Sequence, residues 1–471
     1  MFSGSVDFKG VQSNESFKLL IKFCLKYGVS DHEKLLTILQ NIITLTCRTF
    51  DEEHIKMIVE MLVSHSEFLD VVLSEFHKCK VGILSLLLTV CEQWPQVMAR
   101  SHVPILLSSF GATLTESDKI ALKLLKMYES ASNQTSFHDF KPFLWGKTGA
   151  NHYSVRSDIE KALLKQPKMR DVLNILQENI VLSTIKYYHL YHSVNRPNNL
   201  KENLIYELEF LLPLFSHLLA PENVVQTYHF TKSGALSLSI LALSSEHKKM
   251  RAAACHVLAR FYFHVEARQS GKDNLLWIRL IEAICRGISM TDDLVLNNFA
   301  SIFLARTALI LTQPNHIMYL PLSQYLAAKP ALDFSSIPEL YTFVYSSDVN
   351  YKDHRNFICE ILCDGLITEN DYTIFFRSMA LKLFTELYSS CVCDMEGKLS
   401  ILDVLISVCR LPTGVKFICT HNAMLEYLFM DLHDILRSTS KKTNIALLCK
   451  LIDIFHRISS NLDEALLWEK F

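Results

Sequence analysis

Residues 448–458 read Leu448-Cys449-Lys450-Leu451-Ile452-Asp453-Ile454-Phe455-His456-Arg457-Ile458. Leu448, Leu451, Ile452, Phe455 and Ile458 recur at i, i+3, i+4, i+7 and i+10, which predicts one apolar face of an α-helix. The same spacing spreads outward from this stretch. Ile401, Val404, Leu405 and Val408 repeat its first four steps. Phe375, Met379, Leu383 and Leu387 predict a single face on another helix, and Met250, Ala253, Val257, Phe261 and Val265 predict one on a third. No run of strict alternation marks a half-buried strand.

Composition agrees with that period. The chain has 471 residues, 49% hydrophobic and 20% charged, enough apolar material for a large core. Only 13 Gly and 12 Pro are present, against average usage of roughly 7% and 5%. Strand-rich folds need more tight turns than that, so long helices with short connections are expected. The helical segments run to about 10–20 residues between start and stop signals. Thr291-Asp292-Asp293 and Asn461-Leu462-Asp463-Glu464 read as starts, a polar cap before an acidic first turn. Pro213 is expected to kink Ile205–Leu219, while Pro314 and Pro330 separate helices. Ser130–Arg156 and Tyr191–Leu200, the latter with Asn195-Arg196-Pro197-Asn198-Asn199, read as loops.

These signals predict an all-α chain, a HEAT/armadillo-like α-solenoid of antiparallel helix pairs, with an irregular bundle as the alternative. The expected divisions are a helical block over 1–130, a loop-containing connector over 131–200 and a helical repeat domain over 201–471.

Charge and cysteine usage narrow the classes of function. The formal net charge is −2, which gives no bulk attraction for nucleic acid. The 13 cysteines are odd in number and mostly within apolar helical stretches, as in Leu448-Cys449-Lys450-Leu451. They read as small buried hydrophobes in a reducing compartment. The Met1-Phe2-Ser3-Gly4-Ser5 start lacks the basic, apolar pattern of a signal peptide. The apolar runs Val81–Cys91 and Ala235–Leu243 fall short of the ~20 residues a bilayer needs, so no membrane contact is expected.

Motifs for chemistry are weak. Gly146-Lys147-Thr148 imitates the end of a phosphate loop, but Lys141 stands where the motif needs its first Gly. Cys359 and Cys363, Cys391 and Cys393, and His189 and His192 lack the paired spacing of a zinc site. The Tyr187-Tyr188-His189-Leu190-Tyr191-His192 segment reads as stacking and surface packing. No catalytic, cofactor or metal residues are expected. The remaining candidates are basic: Lys248, Lys249 and Arg251 as contacts for RNA or an acidic partner, then Lys161, Lys165, Lys168 and Arg170, and Lys441 and Lys442.

Four ordered segments carry a resemblance. They are Tyr206-Glu207-Leu208-Glu209-Phe210-Leu211-Leu212-Pro213-Leu214-Phe215; Gly234-Ala235-Leu236 with Leu243-Ser244-Ser245 and Met250-Arg251; Pro314-Asn315-His316-Ile317-Met318-Tyr319 with Pro330-Ala331-Leu332-Asp333 and Ile337-Pro338; and Leu362-Cys363-Asp364-Gly365-Leu366 with Asp371-Tyr372. Over 203–411 their order and spacing resemble the C-terminal region of the nucleolar pre-ribosomal-associated protein 1 family, more weakly over 1–196. The resemblance implies a non-enzymatic scaffold in early biogenesis of the large ribosomal subunit, located in the nucleolus. It implies pre-ribosomal particle proteins, a DEAD-box helicase, small nucleolar ribonucleoproteins and pre-rRNA as partners, and no cofactor. The alternative is a HEAT-type adaptor in nuclear transport or signalling.

Overall fold

The computed structural model describes residues 15–30, 32–46, 52–75, 77–131, 144–153, 155, 169–193, 204–268, 272–289, 295–329, 332–333, 335–421, 424–437 and 443–461. Among them the regular structure is helical, and an isolated antiparallel bridge joins Thr113 to Tyr206. The chain divides into two compact units, 1–177 with 204–211, and 178–203 with 212–471.

In the first unit α1 (Glu15–Ser30), α2 (Glu33–Thr46), α3 (Lys80–Gln93) and α4 (Glu116–Ala131) pack each on the next. Lys80 is buried at the start of α3, and its ammonium donates to Ser74 O (3.1 Å) and Ser109 O (2.9 Å). Those carbonyls lie at the C-terminal ends of helices Phe68–Leu73 and His102–Ser109, where a cation meets the negative end of the helix dipole.

The second unit is built on a row. We number its helices α5 (Glu178–His192), α6 (Ala235–Leu241), α7 (Lys248–Ala267), α8 (Lys272–Ser289), α9 (Asn298–Ile310), α10 (Tyr351–Gly365), α11 (Glu369–Arg377), α12 (Met395–Val408), α13 (Met424–Arg437) and α14 (Thr443–Asn461). Helix α6 packs on α9, α9 on α10, α10 on α12 and α12 on α14, with other helices between successive members in the chain. Every side chain of α9 is buried except Arg306. A mostly apolar helix of that kind is stable only when covered on all sides and with its few polar groups, such as Asn298 and Ser301, hydrogen-bonded.

Several sequence expectations meet corrections. The Phe375–Leu387 face is not one helix: α11 ends at Arg377 and a new helix, Ala380–Ser389, starts after Met379. Met379 sits at φ 51° and is 62% exposed, and Tyr341 Oη donates to Ser378 O at this corner (2.8 Å). On α14 the buried stripe is Leu447, Leu451, Ile454 and Ile458, while Ile452 is exposed. Asn461 ends α14 instead of starting a helix, and its amide donates to Cys409 O (3.0 Å). The loop expected over 130–156 contains a short helix, Gly146–His152. Helix Leu208–Leu218 runs through Pro213. Cys255, Cys285, Cys391 and Cys449 are exposed, so burial does not explain them.

Asn133, Pro142, Asn195 to Asn199, Thr291 to Asp293, Pro330, Lys161, Lys165, Lys168, Lys441, Lys442 and Leu462 to Glu464 lie outside the described residues.

A candidate scaffold core and its basic edge

The expected basic contacts do not act alike. Lys248 and Lys249 open α7 and are exposed. The first turn of α7 has no acidic residue, so their charges add to the positive end of its dipole. Arg251 turns back instead. Its Nη1 donates to Ser245 O (2.8 Å) and Glu246 O (2.9 Å), holding the turn that leads into α7. Arg170 is exposed at helix Met169–Leu173.

Gly146-Lys147-Thr148 begins the helix Gly146–His152, and its side chains are engaged locally. Thr148 Oγ1 donates to Asp171 O (3.0 Å) and Lys147 lies 3.6 Å from Glu75. Burial pushes the Cys359 and Cys363 thiols well above the ordinary range, to about 12 for Cys363, which disfavours the thiolate a metal needs. No cluster of three or more metal-ligating side chains occurs among the described residues.

The dense polar chemistry of the second unit lies inside it, as a seam across α5, α9, α10, α11 and α12. His189 on α5 is buried, not at the surface. Its Nε2 meets Ser244 Oγ (3.3 Å) and Ser301 Oγ (3.2 Å). Both hydroxyls also lie within hydrogen-bond distance of backbone carbonyls, Leu241 O (2.7 Å) and Asn298 O (3.0 Å). Nε2 thus sits between two hydroxyls that are themselves tied to helix carbonyls, and the three groups link α5 to α9. Burial, with a smaller push from His192, lowers the imidazole pKa to about 3, so the ring stays neutral.

One turn along the seam, Asp371 Oδ2 accepts from Thr368 N (2.8 Å), Thr368 Oγ1 (2.7 Å) and Asn298 Nδ2 (2.8 Å). The first, with Asp371 N donating to Thr368 Oγ1 (3.4 Å), makes the capping box that starts α11, and the third ties that start to α9. Burial raises the Asp371 pKa, and these donors oppose it.

Arg306, the half-buried exception on α9, reaches Glu360 Oε2 (2.6 Å) and Asp364 Oδ2 (3.0 Å) on α10. Burial lifts the Asp364 carboxyl to about 6 against the pull of Arg306. Arg410, just beyond α12, donates through Nη1 to Cys363 O (2.9 Å) and Leu366 O (3.2 Å), capping the C-terminal end of α10. Tyr372 Oη donates to Ser407 O (2.8 Å), joining α11 to α12.

Gly365 closes α10 because of space: a Cβ there would stand 2.6 Å from the Phe299 ring. Each of these groups fixes one helix against another. The sequence reading quoted Ser244, Asp364, Gly365, Asp371 and Tyr372 within the resembling segments and gave them no site role. It missed Asn298, Arg306 and Arg410, which carry no local motif. Thr368-x-x-Asp371 was readable as a capping box.

Comparison with known proteins bears on the same region. Residues 236–427 match the family model described as nucleolar pre-ribosomal-associated protein 1. The human protein of that name is 30% identical over 95% of this chain, and the mouse protein 29% identical over 93%. The chain spans 20% of the length of each relative. Among solved structures, the crystal structure of an engineered protein aligns over 93% of this chain and 99% of its own at 11% identity. Its TM-score of 0.23 is too low to bear on the fold.

Proposed function

We propose that this chain, whose residues 236–427 match the nucleolar pre-ribosomal-associated protein 1 family model, is a nucleolar, non-enzymatic scaffold in early biogenesis of the large ribosomal subunit. The observation that carries this reading is the alignment of 95% of the chain with the human relative. The row α6–α9–α10–α12–α14 supports a HEAT/armadillo-like solenoid, in which each layer buries its apolar face against its neighbours. The polar seam supports a rigid role, because its charges and hydroxyls are consumed in joining helices. No described helix is long and apolar enough to cross a membrane.

The partners of this reading are pre-ribosomal particle proteins, a DEAD-box helicase, small nucleolar ribonucleoproteins and pre-rRNA. With a net charge of −2, contacts to protein dominate over contacts to RNA phosphate. Crosslinking of the tagged protein in cells, with sequencing of bound RNA and identification of co-purified proteins, tests the reading. Large-subunit precursor RNA together with assembly factors is the expected recovery. A discrete partner set without ribosomal precursors would move the function to a HEAT-type adaptor. Filter binding of pre-rRNA addresses the balance of contacts. Sub-micromolar affinity with a steep salt dependence, lost on Lys248→Glu and Lys249→Glu, would overturn the primacy of protein contacts.

A further inference from the structure

Helices α7 and α8 pack on each other, and only Arg268-Gln269-Ser270-Gly271 separates them in the chain, so they form an antiparallel hairpin. Two contacts fix its register. Tyr262 Oη donates to Glu282 Oε1 (3.4 Å), and the Phe261 and Trp277 rings lie 6.4 Å apart. Arg279 (3.6 Å) and Arg286 (3.8 Å) hold the same Glu282 from within α8.

Cys255 and Cys285, both free and exposed, fall on this seam. Cys255 stands two turns before Tyr262 and Cys285 one turn after Glu282, so each lies on the face that makes the contact. Counted from Tyr262 and Glu282, Cys285 stops about 6 Å short of the level of Cys255; counted from Phe261 and Trp277, it overshoots by about 3 Å. The two contacts thus bracket a level pairing, within the reach of two cysteine side chains across packed helices. Packing around the sulfurs raises both thiols above their ordinary range, and each has a further neighbour that adds to it, Cys285 for Cys255 and Glu282 for Cys285. Neither thiol is therefore a ready thiolate; what the site offers is the second sulfur beside the first.

We propose that Cys255 and Cys285 are an oxidisable thiol pair that closes reversibly into a disulfide across α7 and α8. A peroxide oxidises either thiol to a sulfenic acid and releases water; the other thiol attacks that sulfur, and a second water leaves. For hydrogen peroxide, two S–H bonds and the O–O bond break, and one S–S bond and two water molecules form. The pair loses two electrons and the peroxide gains them, and a dithiol returns them by exchange. The bond ties α7, which opens on the exposed Lys248 and Lys249, to the C-terminal half of α8. This chemistry is independent of the ribosomal reading.

The test treats the folded, fully reduced full chain with hydrogen peroxide, then alkylates and digests it for mass spectrometry. Cys449, exposed on α14, serves as the internal reference, and the dose is the one that oxidises half of it. The expected main product of the pair is a peptide joined through Cys255 and Cys285, with both thiols lost to alkylation and regained after dithiothreitol. In Cys285→Ser, dimedone should trap more sulfenic acid at Cys255 than in the parent, because the capturing thiol is gone. Two thiols that stay free at that dose would overturn the proposal. So would sulfinic or sulfonic acids as their main products, a bond from either cysteine to another residue or another copy, or equal dimedone trapping in parent and variant.

Discussion

At the scale of single residues, Gly365 and His189 show how little tolerance the seam has. A methyl group on Gly365 meets the Phe299 ring edge. Gly365→Ala should therefore destabilise the second unit by about 1–3 kcal/mol, the usual cost of overpacking. Urea unfolding of the two proteins measures it, and an unchanged midpoint would show that Phe299 moves aside freely. His189 gives a pH signature. Unfolded, its imidazole titrates near the ordinary value of about 6.5; folded, it is pushed down to about 3. Between those values the unfolded chain holds the extra proton. The stabilisation is complete above the unfolded value and drains as pH falls toward 3. Asp364 tilts the other way, since its folded pKa of about 6 lies above the unfolded one and the folded state holds the proton. His189→Phe should remove a slope of up to about 1.4 kcal/mol per pH unit between pH 6 and 4. Equal slopes in parent and variant would mean that the folded ring accepts a proton.

At the scale of the element, the α11 start separates local from long-range support. Thr368→Ala removes one side chain of the capping box and should cost about 1 kcal/mol. Asp371→Ala also strands the buried amide of Asn298, so its cost should be larger by about 1–3 kcal/mol. Thermal melts of the two variants decide it; equal losses would show that Asn298 finds another acceptor. The cap was legible because Thr368 and Asp371 stand three apart. The Ile401 to Val408 stripe was legible too, since all four side chains are buried on α12. The break at Met379 was not. Its apolar side chain fits the helical period, and the corner depends on Tyr341, far back in the chain, bonding Ser378 O.

At the scale of the molecule, helix content followed from scarce Gly and Pro, but the row did not. Its joints pair helices separated by others, and Arg306 with Asp364 or Asn298 with Asp371 are partners that no local spacing announces. The row predicts a gradient of protection. Amide exchange followed by mass spectrometry should be slowest in α9, buried but for Arg306, and markedly faster in α13, where Tyr427, Phe429, Met430 and Leu436 are exposed. Equal rates in the two helices would refute a row-centred stability.

The order of the row also bears on how the chain is made. Each member packs on the member synthesised before it: α9 on α6, α10 on α9, α12 on α10, α14 on α12. Helix α5 is the exception, since His189 meets Ser301 only once α9, 112 residues further on, has been made. A nascent chain can thus add the row layer by layer as it leaves the ribosome, and α5 closes onto it when α9 arrives.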